Sequence, residues 1–87
     1  MKKTVLNGKA MTDRASAYAA LRAALSLPDY FGDNLDALYD VLSAAEGTVE
    51  LKGTAAMLGA LESYGCKLLA CFYDAARENP RFTFRAR

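Results

Sequence analysis

The stretch LPDYFGDNLDALYDVL, residues 27–42, decides the fold because it contains in order a loop, a glycine hinge and an amphipathic helix. Pro28 forces the residue before it out of the helical region and so ends any preceding helix. Beyond Gly32, four apolar residues fall on one arc at 100° per residue: Leu35, Leu38, Val41 and Leu42. The opposite arc is polar, with Tyr39 at its edge, and holds Asp33, Asp36, Asp40 and Ser43. We therefore predict a short acidic helix whose apolar face packs on the core.

The aspartates of this helix differ in how well the helix itself explains them. Asp33 suits the N-cap position, and the helix dipole favours Asp36 in the first turn. Asp40 lies four residues after Asp36, a like-charge pair that destabilises a helix slightly, and it is too far along for the dipole to help. An external partner for Asp40 would explain this cost. An ordinary solvated acidic helix face is the alternative interpretation.

Charge is unevenly distributed along the chain. The 87 residues contain 11 basic and 10 acidic residues, for a formal net charge of +1. Between Arg22 and Lys52, however, there is no basic residue, and six acidic residues give this segment a charge of −6: Asp29, Asp33, Asp36, Asp40, Glu46 and Glu50. The local field, rather than the net charge, should therefore govern the choice of partner.

Residues 27–40, LPDYFGDNLDALYD, closely resemble the signature of the barstar family, bacterial inhibitors of the ribonuclease barnase, which reads LPxYxGxNLDALWD. Lys2-Lys3, Val5 and Asn7-Gly8 resemble the opening of that family. The chain departs from the family at Tyr39, where Trp is typical, and at Ala44-Ala45, which replace Gly-Trp. The resemblance implies the barstar fold and the inhibition of a small secreted bacterial ribonuclease.

The resemblance also implies which residues bind the ribonuclease. Tyr30 matches the aromatic residue that packs against the catalytic centre, and Asp40 matches the aspartate that enters the phosphate site. The full set implied is Tyr30, Asp36, Tyr39, Asp40, Ser43, Asp74 and Glu78. Two alternatives stay open: Tyr30 and Phe31 could plug the sheet edge, with Phe31 the stronger core candidate, and Asp74 and Glu78 could form an ordinary solvated surface with Lys67.

The order of elements predicts an α/β domain spanning residues 1–87, a three-stranded parallel sheet covered by about four helices. Strands are expected at residues 3–6, 48–52 and 81–87, with Phe82 and Phe84 pointing inward. Helices are expected over about 12–25, capped by Thr12 or Asp13, over the acidic stretch, over 55–61, capped by Thr54, and over 66–78, after a break at Gly65. The buried face of the first helix would draw on Ala15, Tyr18, Ala19, Leu21, Ala24 and Leu25. Right-handed crossovers favour the first strand in the centre of the sheet if the helices are to pack together.

Composition argues against catalysis and metal binding. The chain has no His, no nucleophile motif and no phosphate-cradling glycine loop, so we predict that it is not an enzyme and needs no cofactor. Cys66 and Cys71 are too far apart along one predicted helix to bridge, and without C-x₂-C spacing a zinc site is not expected. Exposed aspartates are ionised at neutral pH, which suits electrostatic recognition better than proton transfer.

Two binding functions fit these patterns. The first is a ribonuclease inhibitor forming a one-to-one complex with a barnase-like secreted bacterial enzyme and monomeric without it. The second is an acidic interaction module, or an immunity protein in a toxin–antitoxin pair, directed at a different basic toxin or nuclease. The apolar run after Lys2-Lys3 is too short for a secretory segment, so we expect a cytoplasmic protein without membrane contact. The group Arg81, Arg85 and Arg87 lacks exposed aromatic companions, so direct nucleic-acid binding is not expected.

Overall fold

The computed structural model describes residues 3–87, so Lys2, part of the resemblance above, lies outside the described residues. Three strands alternate with pairs of helices. In chain order they are β1 (Lys3–Asn7), α1 (Arg14–Leu25), α2 (Leu35–Ser43), β2 (Gly47–Lys52), α3 (Thr54–Leu61), α4 (Ser63–Glu78) and β3 (Phe82–Ala86), with one turn of 3-10 helix at Gly8–Ala10. The predicted class is confirmed: a three-stranded parallel sheet with four α-helices.

The strand order is β1-β2-β3, so β2 lies in the centre and the prediction of a central β1 is wrong. Both strand pairs are parallel, with Val49 opposite Thr4 on one side and Phe84 on the other. Right-handed crossovers that always step in the same direction leave every helix on the same face of a sheet, whereas a central first strand would send the second crossover to the opposite face. Two helix pairs packed together over one face therefore require the observed order.

One face of the sheet is covered by helices and the other is open. The inward residues Leu6, Val49, Leu51, Phe82 and Phe84 are buried, and the Phe84 ring stacks on that of Phe72 in α4 with 4.6 Å between centroids. The outward residues are mainly polar or charged and largely exposed: Lys3, Val5, Asn7, Thr48, Glu50, Lys52, Thr83 and Arg85. Parallel sheets usually bury both faces. Here the alternation of the sequence leaves one face in water.

Helix α1 begins directly after Asp13, one of the two residues predicted to cap it. The Asp13 carboxylate accepts from Ser16 N, and the Ser16 hydroxyl closes the capping box onto the Asp13 backbone. These bonds hold the pKa of Asp13 below its ordinary value. The buried arc is centred on Ala17, Tyr18 and Leu21. The predicted Ala15 and Ala19 are exposed, because they lie roughly 100° or more from the centre of that arc.

The break between α3 and α4 falls at Glu62, with φ 55° and ψ −128°, and not at Gly65 as predicted. Gly65 is buried inside α4, where an added Cβ would lie 3.1 Å from Met57 Sδ and 3.3 Å from Leu58 Cα. The glycine thus serves close packing between the two helices. Thr54 is likewise the first residue of α3 and not its cap, since Gly53 occupies that position in the left-handed conformation.

Candidate functional site

The two aromatic residues in the loop before α2 differ in solvent exposure. Phe31 is 8% exposed and packs near Tyr18, with 6.1 Å between ring centroids, while Tyr30 is 90% exposed. Phe31 N donates to Pro28 O at 3.0 Å, which closes the turn. Phe31 is therefore the core anchor that was predicted, and anchoring it presents the Tyr30 ring to solvent beside the start of α2.

The N-terminus of α2 is capped by Asn34, and the prediction of Asp33 as N-cap is wrong. Asn34 Oδ1 accepts from Ala37 N at 2.8 Å, and its Nδ2 donates to Gly32 O. Asp33 instead forms an ion pair with Arg22 of α1. Asn is as good an N-cap as Asp, so the local pattern allowed either residue, and the distant arginine selected between them.

The acidic face of α2 carries the predicted residues on successive turns. Asp36, Asp40 and Ser43 are exposed, and Tyr39 is half-buried against the core. Neither Asp36 nor Asp40 forms an ion pair within residues 3–87. Ser43 Oγ donates to Tyr39 O at 2.7 Å, which leaves its lone pairs as acceptors toward solvent. This face therefore offers two uncommitted carboxylates to an external cation.

Helix α4 packs beside α2, and Cys71 lies at their contact. Cys71 Sγ donates a weak hydrogen bond to Leu35 O at 3.6 Å. Burial raises the pKa of the Cys71 thiol to about 11, and the nearby carboxylates of Asp74 and Asp36 add to the rise. Asp36 follows Leu35 directly and Asp74 lies three residues after Cys71, so the contact between Cys71 and Leu35 places the two acids on adjoining surfaces. Both cysteines are free thiols, and Cys66 is exposed.

The two predicted acids of α4 differ in their surroundings. Asp74 forms an ion pair with Arg77 one turn later, and not with Lys67, the contact named in the alternative interpretation. Glu78 is exposed at the last residue of α4 and forms no ion pair within the described chain. Arg77 already balances the charge of Asp74, whereas the charge of Glu78 is available to a binding partner.

Arginines from outside the −6 segment reduce its effective charge. Asp33 pairs with Arg22, Glu46 with Arg81 at 3.3 Å, and Glu50 with Arg87 at 3.0 Å. The segregation expected from the sequence is therefore weaker in three dimensions. The acids left without an ion pair in the described part of the segment are Asp29, Asp36 and Asp40, which all belong to the loop and α2.

Asn79 fixes the far end of α2, a role that sequence analysis missed. Its side chain is buried, and its Nδ2 donates to Leu42 O at 3.0 Å and Ala45 O at 2.8 Å. Its Oδ1 accepts from Arg81 N at 3.0 Å. The dipeptide Asn79-Pro80 ends α4 as predicted, but only the packing shows that the amide also clamps the chain between α2 and β2.

The side chains exposed at this surface are acidic, aromatic and hydroxyl groups. Among residues 3–87 there is no group of three or more His, Cys, Asp or Glu placed to hold a metal ion. In that same part of the chain, no helix has the length and apolar character needed to cross a membrane. An exposed tyrosine, two uncommitted aspartates and a hydroxyl acceptor form a surface suited to cationic and hydrogen-bond donor groups.

Comparison with known families agrees with the resemblance found in the sequence. The model of the family described as Barstar (barnase inhibitor) matches residues 1–87. The match extends over both ends of the chain, beyond the signature in residues 27–40.

Proposed function

We propose that this chain, which belongs to the Barstar family, inhibits a barnase-like secreted bacterial ribonuclease by covering its active site with the loop at Tyr30 and the acidic face of α2. The family is one of barnase inhibitors and not of enzymes. The observation that carries the proposal is the pair Asp36 and Asp40, which are exposed and without ion pairs in the described chain, on the helix that follows a 90% exposed tyrosine.

The charges explain how such a surface would block a ribonuclease. An enzyme that cleaves RNA holds cationic donors where the scissile phosphate lies, and a carboxylate placed there accepts charge-assisted hydrogen bonds from them. Asp40 takes this phosphate-like role and Asp36 adds a second carboxylate one turn earlier. Tyr30 stacks beside them, since exposed aromatic rings supply much of the energy at the centres of interfaces. Tyr39, Ser43, Asp74 and Glu78 complete the contact surface.

The complex is one-to-one, and the inhibitor acts in the cytoplasm, where it protects the cell that makes the ribonuclease. Titrating the protein into an assay of a barnase-like ribonuclease, ideally one encoded beside its gene, tests this directly. Activity should fall linearly and reach zero at equimolar inhibitor. A neighbouring ribonuclease that stays fully active at equimolar protein would overturn the proposal.

The departures at Tyr39 and at Ala44-Ala45 favour one further candidate, an immunity protein for a different basic nuclease. Ala44 is exposed at the end of α2, so the change from the family pattern falls on the surface itself. Assaying the protein against barnase-like ribonucleases and against unrelated basic nuclease toxins separates the candidates. Inhibition confined to the second group would select the immunity function.

A further inference from the structure

A cavity of about 270 Å³ lies at the carboxyl end of β1 and β2, away from the acidic surface of α2. It is lined by Asn7, Lys9, Lys52 and Gly53. Asn7 and Lys52 are register partners at the ends of their strands. The Lys9 stem lies against Gly53, since a Cβ added there would lie 3.3 Å from Lys9 Cγ. The cavity is thus held between two strand ends and the turn that follows each.

The walls of this cavity approach one another closely at the backbone. A Cβ on Gly8 would lie 2.3 Å from Gly53 O, so only glycine allows the two turns to meet. Lys9 N donates to Asn7 Oδ1 at 3.1 Å, which fixes the amide and leaves its Nδ2 as a donor. The concavity therefore rests on packed backbone and does not depend on the positions of long side chains alone.

The cavity is cationic. No acidic residue lines it, and neither Lys9 nor Lys52 forms an ion pair within residues 3–87. Elsewhere in the same residues the ion pairs are made by arginines: Arg22, Arg77, Arg81 and Arg87. Since both lysines line one concavity, an anion bound there would be attracted by two positive charges.

The open face of the sheet extends the positive field away from the cavity. Lys3 and Arg85 lie on this face with Lys52, and Arg87 follows at the end of β3. Glu50 is the one carboxylate among the outward residues of the three strands, and Arg87 already pairs with it at 3.0 Å. Arg85 is the register partner of Glu50 on β3, and the pKa of Glu50 is lowered first by the hydrogen bond from Arg87 and then by the charges of Arg87, Lys3 and Arg85.

We propose that the cavity binds a phosphate group, with the ammonium groups of Lys9 and Lys52 and the Asn7 amide donating to its oxygens. Lysine binds phosphate as a point charge, and a concavity lined by two lysines and an asparagine offers donor groups to a tetrahedral anion with several acceptor oxygens. No aromatic ring lines the cavity, so the recognised group is the phosphate and not a nucleobase.

The test is a titration of the ¹⁵N-labelled protein with inorganic phosphate, followed by NMR in a buffer without other oxyanions and without any ribonuclease. Saturable shifts are expected at the amides of Asn7, Lys9 and Gly53. Lys9→Gln and Lys52→Gln should each weaken binding about tenfold, the usual order for one charge-assisted hydrogen bond. Both lysines are exposed, so the variants should unfold at the wild-type temperature in phosphate-free buffer.

Lys67→Gln is the matched control, because it removes the same charge from an exposed position of α4. It should leave phosphate binding unchanged. Equal weakening by all three variants, shifts that do not saturate, or the same shifts with chloride at equal ionic strength would overturn the proposal. Because no ribonuclease is present, the result is independent of the inhibitory function.

A second titration tests whether the bound phosphate group belongs to a small phosphate compound or to the backbone of a nucleic acid. A short oligouridylate is titrated under the same conditions. If its backbone runs from the cavity along the open face, it should bind more tightly than phosphate, lose affinity steeply with salt, and be weakened by Arg85→Gln. If phosphate binds more tightly and Arg85→Gln has no effect on either, the ligand is a compound with a terminal phosphate. Either result supports the site only if Lys9→Gln and Lys52→Gln weaken the binding of that ligand, and oligouridylate binding that neither variant weakens would place the contact on the open face and overturn the site.

Discussion

Asp40 is the residue on which we expect the proposed inhibitory surface to depend most. It is exposed in the middle of α2, without an ion pair in the described chain, one turn after a second aspartate. Each buried hydrogen bond to a charged group is worth about 1.5–3 kcal/mol, so Asp40→Ala should weaken ribonuclease binding by about 10- to 100-fold or more. Asp29→Ala, at the start of the loop, should cost much less. Isothermal titration calorimetry of both variants measures the difference, and equal losses would put the contact elsewhere.

The same substitution should not harm the fold. Removing Asp40 relieves its repulsion with Asp36, worth a few tenths of a kcal/mol. The free energy of unfolding of Asp40→Ala should therefore equal or slightly exceed that of the wild type in urea denaturation. A clearly destabilised variant would mean that Asp40 has a structural role.

Cys71 gives the native state a measurable pH dependence. Its pKa rises from the ordinary 9.0 to about 11 on folding, so between these values the unfolded thiol loses its proton while the native thiol keeps it. This contribution is complete below pH 9 and is lost as the pH rises toward 11, by at most about 1.4 kcal/mol per pH unit. Urea denaturation under reducing conditions from pH 7 to 10 should show a shallower decline for Cys71→Ala than for the wild type. Cys66→Ala, at an exposed position, should keep the wild-type slope, and identical slopes for all three proteins would refute the effect.

At the scale of elements, the close packing of α3 against α4 depends on the absence of a side chain at Gly65. A methyl group at Gly65 would meet Leu61 Cβ at 3.2 Å and backbone at 3.3 Å, whereas one at Gly59 would meet nothing within 4 Å. Gly65→Ala should therefore destabilise the protein by about 1–3 kcal/mol through overpacking. Gly59→Ala should stabilise it by about 0.5–1 kcal/mol, because alanine is the better helix former. Thermal unfolding of the pair measures both signs, and a gain in stability at Gly65 would show that the helices can separate without cost.

At the scale of the whole molecule, charge should control how fast a partner arrives. Three of the six acids between Arg22 and Lys52 are paired with arginines, so the field around α2 is carried mainly by Asp29, Asp36 and Asp40. Association with a cationic ribonuclease should slow as salt rises while dissociation changes less, the behaviour described for barnase and barstar themselves. Stopped-flow kinetics at several salt concentrations test this. An association rate that does not change with salt would argue against electrostatic steering.

The variant Arg22→Gln refines that expectation. It frees the Asp33 carboxylate beside α2 and adds one uncompensated negative charge near the proposed contact surface. The association rate at low salt should increase, and the difference from the wild type should vanish at high salt. Arg77→Gln, which frees Asp74 on α4, is the companion variant.

The sequence by itself determined the features that depend on neighbours along the chain. Helical periodicity located α2, Pro28 ended α1, and alternation turned Phe82 and Phe84 inward. The sequence also favoured Phe31 over Tyr30 as a core residue, and the family resemblance implied that Tyr30 faces a partner; Phe31 is buried and Tyr30 exposed. The density of the signature in residues 27–40 was enough to identify the family. These properties follow from spacing and residue type, and such signals act within a few residues.

Only the tertiary structure decided the features that depend on residues far apart in the chain. Arg22 draws Asp33 away from the N-cap, and Arg87 neutralises Glu50 from 37 positions away. The strand order follows from the need to pack both helix pairs over one face. That order in turn leaves the other face open. Because the strands pair in parallel, their carboxyl ends bring Lys9, Lys52 and Arg87 to one end of the sheet. Ion pairs and packing depend on distance in space, which spacing along the chain does not report.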